Sequence, residues 1–490
     1  MNTILLITII GYILLMIVAG TFIGKSKIKN TEDYMLAGRS LPNIVLVGTL
    51  LATFVGSGTV IGGASFIYQQ GPLAGIIYFA GVPIGIVILY FIAGKTWLIS
   101  KYTIPQILEI KYGKLTRTIS SIFIILAYIG IASYQFTGGG YILNLTTGIS
   151  VEAGTIVTAF IVIFLATIGG MFSVAYTDFI SSLLILVGFI LGFFYLVTNV
   201  VSFDTIITSL PESHFTWTGN LTIPQIIGYF LPLFLLVLAD QNMYQRLASA
   251  KDASTARRST IGFFISSIAV FGLVILLTIG SLALFSDIKP DTAILQLAYN
   301  GGLPIVVGAL ILTASVSFLI TTGNSFLLSA AGNITYDIVQ RVKPDISDKS
   351  LLKINRYSVF ALGGIAYILG AFFPDVLSIQ MYSYTMYGAA LTPAILASFL
   401  WKRANGPGAL ASIVIGGVAT LVWELVLQKP YGWNSVLIAL PLSIIALIVV
   451  SLLTPKYTVQ IEQDQSRKDK EEKENVEFKS EYASGIYEGK

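Results

Sequence analysis

Cysteine is absent from the 490-residue chain, which excludes a disulfide framework, a thiolate metal site and a thiol nucleophile. Histidine occurs once, at His214, within the polar stretch 211–219. With no second imidazole it reads as a solvated loop residue rather than a metal ligand. Charge is scarce too: Lys, Arg, Asp and Glu together make up 11%, against roughly 25% in soluble domains. Sixteen of the 54 charged residues lie in the last 36 positions, which leaves the first 454 only about 8% charged. That supply cannot build a polar shell around a chain of this length, so a soluble enzyme or a nucleic-acid binder is excluded. What is plentiful is apolar: 55% hydrophobic residues and a mean hydropathy of +0.82. The composition is that of a polytopic membrane protein.

Thirteen apolar runs are long enough to cross a bilayer, at about 3–23, 43–70, 73–99, 118–146, 151–170, 173–200, 222–249, 259–286, 303–335, 356–374, 378–401, 406–428 and 434–454. The first has no basic flank before it and is expected to be an uncleaved helix. An odd number of spans puts the termini on opposite sides. Of the 29 Lys and Arg residues, 27 follow odd-numbered spans and only Lys289 and Lys429 fall on the other side. The positive-inside rule then predicts an external N-terminus and a cytoplasmic C-terminus in the plasma membrane. Residues 455–490 are charged and without apolar periodicity, and read as a disordered tail.

Glycine and proline inside spans mark places where a helix can break, and freed backbone groups are tolerated at depth only against protein or a water-filled cavity. The second span carries Gly56, Gly58, Gly62 and Gly63 among five hydroxyl residues between Thr49 and Ser65. Unwinding and close packing through small residues are both consistent with that. The seventh span carries Pro232 and then a polar run beginning at Asp240. With the first span set apart, the second and seventh open two sets of five, which is the pattern of an inverted-repeat transporter.

Two further features carry chemistry. Asp178, at the start of the sixth span, is an intramembrane carboxylate and hence a functional candidate, although a helix-start charge is the plainer reading. The ninth span has a hydroxyl-rich tract from Ser315 to Ser325, where back-bonding to the helix is the usual role. Freed carbonyls, the Thr321 and Thr322 hydroxyls and Asp178 together form the hard-oxygen set that sodium prefers. No Lys or Arg is expected near a span centre, which favours a neutral or zwitterionic cargo.

Several ordered motifs resemble the sodium:solute symporter family. They are the stretch from Asp33 to Leu41, the Gly169-Gly…Ala-Tyr-Thr-Asp178 motif, and the run from Thr321 through Ser325 to Asp337. The resemblance covers about residues 1–455. It implies an all-α, LeuT-like fold of about thirteen helices. A leading helix and loop would occupy residues 1–42, two five-helix repeats 43–200 and 201–401, and two peripheral helices 402–454. It further implies a main sodium site formed by the Ala52, Val55 and Phe318 carbonyls with the Thr321 and Thr322 hydroxyls. A second sodium site, present in some members, would use Asp178, Asn324 and Ser325. Phe54, Ser57 and Thr59 would face the solute, joined by Tyr78, Gln135 and Gln380. Phe54 stands where proline-transporting members commonly have an aspartate.

The function expected is sodium-coupled uptake of a small neutral or zwitterionic solute by a monomer, with the solute, sodium and the lipid bilayer as partners and no nucleic acid. Proton coupling through Asp178 is the alternative, and an ion channel a weaker one. No phosphate-binding Gly-x-x-x-x-Gly-Lys-Ser/Thr loop is present, and an intramembrane histidine or carboxylate pair for an enzyme is missing.

Overall fold

A computed structural model describes residues 3–27, 31–99, 102–168 and 170–455. The expected disordered tail lies almost wholly outside the described residues. Among the described residues the apolar runs are helical over most of their length. The first is α1 (Thr3–Lys27). The second is split into α2 (Asn43–Phe54) and α3 (Gly58–Gln70), bent by 58° at residues 55–57. Then come α4 (Pro72–Ile99), the short α5 (Ile104–Tyr112), α6 (Lys114–Thr147), α7 (Val151–Ile168) and α8 (Met171–Val200). The seventh run is again split, into α9 (Ile223–Ala239) and α10 (Gln241–Ala248). It is followed by α11 (Ala253–Leu284), the short α12 (Ala293–Asn300), α13 (Ile305–Val342), α14 (Asp348–Gly370), α15 (Val376–Leu400), α16 (Gly406–Val426) and α17 (Val436–Leu453). Among the described residues eight helices are long and apolar enough to cross a membrane, or nine if the bent second pair counts as one. The chain is an all-helical, multi-span membrane protein.

The apolar character explains the layering. Side chains such as Phe91, Phe194 and Phe360 stand exposed around the outside, as lipid-facing residues do. The most enclosed candidate span is α13, 78% buried in its apolar window, whereas α17 is only 33% buried. The hydroxyl-rich tract of Ser315 to Ser325 is therefore central, not peripheral. α15 falls short as an apolar span for the same reason. It carries Gln380, Ser383, Tyr384, Thr385 and Tyr387, all buried against the other helices. Tyr12 of α1 fastens the leading helix to the bundle, its hydroxyl 2.6 Å from Ser317 Oγ and 3.1 Å from Ser181 Oγ.

His214 corrects the expectation of a solvated loop residue. It is 3% exposed and packs on the turn at Gly71, whose φ of +91° and lack of a Cβ make room for it. Burial moves its pKa below the usual range, so the neutral imidazole is favoured.

Close helix contact at one glycine is testable. A Cβ on Gly81 of α4 would stand 2.8 Å from the Phe230 carbonyl and 2.9 Å from the Phe234 amide of α9. We predict that Gly81→Leu lowers stability by about 1–3 kcal/mol through overpacking, read as a lower unfolding temperature in detergent. Gly94→Leu, where nothing stands within 4 Å of the added Cβ, is predicted to leave that temperature unchanged. Equal shifts in both variants would contradict the packing.

Candidate functional site

The break between α2 and α3 follows from where backbone groups find partners. Ser57 N–H donates to Gln135 Oε1 of α6 at 2.9 Å, and the Ser57 hydroxyl donates to Gln135 Oε1 at 2.8 Å and to the Tyr134 carbonyl at 3.0 Å. The Ala52 carbonyl accepts instead from Thr322 Oγ1 of α13, at 2.9 Å. Gly56 is required at this point, because a Cβ there would stand 2.9 Å from both Thr322 Oγ1 and the Gln135 amide. A π-helical turn, Gly58–Gly63, restarts the helix. Its Gly58 and Gly62 lie against the Gln380 side chain of α15. The break is thus walled by α6, α13 and α15.

Most of the residues singled out in sequence meet here. Ala52, Val55 and Phe318 are fully buried, and Val55 is the extended residue at the break. Thr322 bonds across to α2, while the Thr321 hydroxyl donates back to the Phe318 carbonyl at 3.3 Å. Among the solute candidates, Ser57 and Gln135 bond each other and Gln380 lies on the glycines of α3. The Phe54 ring is 6.3 Å from that of Tyr384. Thr59 is buried in the π-helical turn. Tyr78 stacks on Phe66 at 4.7 Å, beside Gly63. Tyr78 Oη, Gln135 Nε2 and Gln380 Oε1 are buried without a hydrogen-bond partner. Orphaned polar atoms in a protein interior are costly, and three of them clustered around one break suit a polar guest.

Asp178 has a partner that sequence reasoning missed. Arg246, counted there with the cytoplasmic charges, is fully buried. Its Nη2 lies 3.2 Å from Asp178 Oδ2 and donates to Ser325 Oγ at 2.8 Å, while Nε donates to Thr49 Oγ1 at 2.9 Å. Thr49 in turn donates to Asp178 Oδ2 at 2.6 Å. The expectation of a span interior without Lys or Arg is therefore corrected. α10 continues the seventh run beyond its break and carries Arg246 into the bundle. Asp178 Oδ1 and Asn324 Oδ1 remain buried and unpartnered, so one face of this second candidate set is committed to the guanidinium and the other is open.

The second break falls at Asp240, not at Pro232, which α9 accommodates internally. Asp240 is extended (φ −61°, ψ 122°) and caps α10 through Oδ1, which accepts from Asn242 N at 3.3 Å. Tyr387 of α15 bridges the gap: its hydroxyl donates to the Ala239 carbonyl at 2.8 Å and accepts from Gln241 N at 3.0 Å. Gln241, Asn242 and Gln245 then tie α10 to Ser329 and Asn333 of α13. The polar run from Asp240 is the sequence signal for this break.

Two interrupted helices facing a common central helix define a secondary transporter of the broken-helix class. The chain belongs to the sodium:solute symporter family, whose model matches residues 34–416. It is a sodium-coupled solute symporter, not an enzyme. Similar curated proteins include the high-affinity proline transporter PutP of Bacillus subtilis (strain 168), 26% identical over 447 residues, covering 83% of this chain and 89% of that protein. The sodium/pantothenate symporter of Escherichia coli (strain K12) is 25% identical over 440 residues, covering 85% and 89%. Among solved structures, a Na+-coupled sialic acid symporter in a substrate-bound outward-open state superimposes with a TM-score of 0.78 at 19% identity, over 93% of this chain and 99% of that one. Mhp1, a nucleobase-cation-symport-1 family transporter, matches at 0.57 and 13% identity, over 88% and 97%. These likenesses fix the fold.

The buried pair yields a prediction. Arg246→Ala strands the Asp178 carboxylate, and loss of one partner of a buried pair costs about 3–5 kcal/mol. We predict a large fall in unfolding temperature for this variant and a partial recovery in the double variant Asp178→Asn, Arg246→Gln. A double variant no more stable than the single one would contradict the pairing.

Proposed function

We propose that this symporter imports a small neutral or zwitterionic organic solute across the plasma membrane with sodium, through a bundle of about thirteen spans in two five-helix repeats. The N-terminus is external, the tail cytoplasmic, and the monomer is the working unit. The observation that carries the sodium site is the hydrogen bond from Thr322 Oγ1 to the Ala52 carbonyl, 2.9 Å across the break. Both oxygens are ones a sodium ion would take, and the hydrogen bond shows that they come within reach of one another across the break. The carbonyls of Val55 and Phe318 and the hydroxyl of Thr321 complete the set.

Coupling follows from placement. An ion bridging α2 and α13 stiffens the break, and the break carries the Ser57 and Gln135 contacts that meet the solute. Binding of sodium and solute therefore favour the same conformation, and each strengthens the other by the same factor. Each inward sodium adds about 2.3 kcal/mol per 100 mV of membrane potential. A second ion would use the open oxygens Asp178 Oδ1 and Asn324 Oδ1, with Ser325 held by Arg246 beside them.

The test is uptake by proteoliposomes holding the purified chain, with sodium, potassium or proton gradients imposed in turn. Uptake driven only by the sodium gradient is the expected result, and a proton gradient sufficing alone would replace sodium by proton coupling. Thr321→Ala and Thr322→Ala are predicted to raise the half-saturating sodium concentration about tenfold for each ~1.4 kcal/mol of ligation lost. Unaltered sodium dependence in both would remove the site.

A further inference from the structure

On the outer surface of the bundle, α4 and α11 form an apolar groove of about 220 Å³, lined in part by Val87, Tyr90 and Phe91 of α4 and by Thr260, Ile261 and Phe264 of α11. Val87, Phe91 and Ile261 are among its exposed residues. Along α4 the groove falls between two fastenings. Phe79 stacks on Phe271 at 4.4 Å, and Trp97 Nε1 donates at 2.8 Å to the Ala250 carbonyl, just before α11. On the α11 wall the one hydroxyl, Thr260 Oγ1, is turned back to the Arg257 carbonyl at 2.7 Å, so that wall is apolar. Positions 257, 260, 261 and 264 share one face of the helix, which sets Arg257 at the mouth of the groove.

Arg257 is exposed but held in place. Its guanidinium lies over the Tyr90 ring of α4, 4.2 Å from the centroid. Stacking occupies the face of the guanidinium and leaves its in-plane N–H donors for an anion. Among the described residues no ion pair includes Arg257, nor Arg258, Lys95 or Lys251, which are exposed about the same ends of α4 and α11. The acid that begins α11, Asp252, is engaged as a cap by Thr255 N at 2.6 Å. Lipid is as apolar as the groove, so the groove confers shape and a headgroup must supply any preference. A pre-oriented guanidinium without a counter-ion, at the mouth of an apolar groove, suits a phosphodiester that carries acyl chains and a net negative charge. From Arg257 to Phe264 the α11 wall covers about 10 Å. That lies inside the ~15 Å half-thickness of the hydrocarbon, within reach of a lipid from one leaflet.

We propose that α4 and α11 hold one anionic phospholipid, with an acyl chain along the groove and its phosphate on Arg257. The lipid belongs to the leaflet at the basic ends of the two helices, the cytoplasmic one in the orientation proposed above. The site lies apart from the sodium and solute contacts. It is joined to them through α4, whose Gly85 leaves room for Val237 of α9, the helix that leads into the second break. A bound lipid thus braces the helix on which a broken helix rests.

The experiment counts lipid on the purified full-length chain in a non-ionic detergent by native mass spectrometry. Palmitoyl-oleoyl phosphatidylglycerol is titrated against phosphatidylcholine of the same chains. The expected result is one phosphatidylglycerol held at least about tenfold tighter than phosphatidylcholine, equivalent to ~1.4 kcal/mol. Arg257→Gln should remove most of that preference, and Tyr90→Leu should weaken it. Ile261→Trp, which fills the groove, should weaken binding of both lipids. Arg258→Gln removes the same charge from the neighbouring face of α11 and should keep the preference. Equal affinity for the two lipids, an unchanged preference in Arg257→Gln, or equal losses in Arg257→Gln and Arg258→Gln would overturn the proposal. Competition by glycerophosphoglycerol or inorganic phosphate at equal concentration would do the same, since the acyl chain would then be irrelevant. So would a dimer in lipid-free detergent that Ile261→Trp dissolves, because a second copy of the chain would then cover this face.

Discussion

Inside a bilayer every backbone donor and acceptor must find a partner within the protein, and the rest of this structure depends on how that demand is met at two places. At residues 55–57 and at Asp240 the helix stops. The groups it frees are taken up by side chains from neighbouring helices: Gln135 and Thr322 at the first break, Tyr387 at the second. Each of these is a side chain that can let go. A continuous helix would hold the same carbonyls in bonds that no ion could compete for.

Both breaks face α13, the most enclosed candidate span, and α15 lies against both. That arrangement explains why buried polar residues concentrate on these two helices. On the proposed reading the ion, the solute and the break share walls, and a shift at one would reach the others by contact.

How much of this was legible beforehand depended on whether the signal was local. Gly56 and Gly58 announced the first break, because close approach to Thr322 and Gln380 leaves no room for a Cβ. The hydroxyl tract of α13 announced a polar interior because those residues are otherwise out of place in lipid. The partner of Asp178 was not legible. Arg246 lies at the end of the seventh apolar run, where its charge groups with those that follow the run, and only the fold sets it against Asp178. Likewise Pro232 was the louder signal in the seventh run, yet a missing N–H inside α9 is tolerated there, while the break itself is made by Asp240 and Tyr387. His214 failed for a similar reason, its burial being set by a glycine far away in the chain.

The central claim is that sodium replaces the hydroxyl of Thr322 at the Ala52 carbonyl. High-resolution cryo-electron microscopy of the chain prepared in sodium and in potassium tests it directly. The account predicts density in sodium alone, enclosed by the carbonyls of Ala52, Val55 and Phe318 and the hydroxyls of Thr321 and Thr322, with Thr322 no longer bonded to Ala52. An unbroken Thr322–Ala52 hydrogen bond in saturating sodium, with no density between α2 and α13, would contradict it.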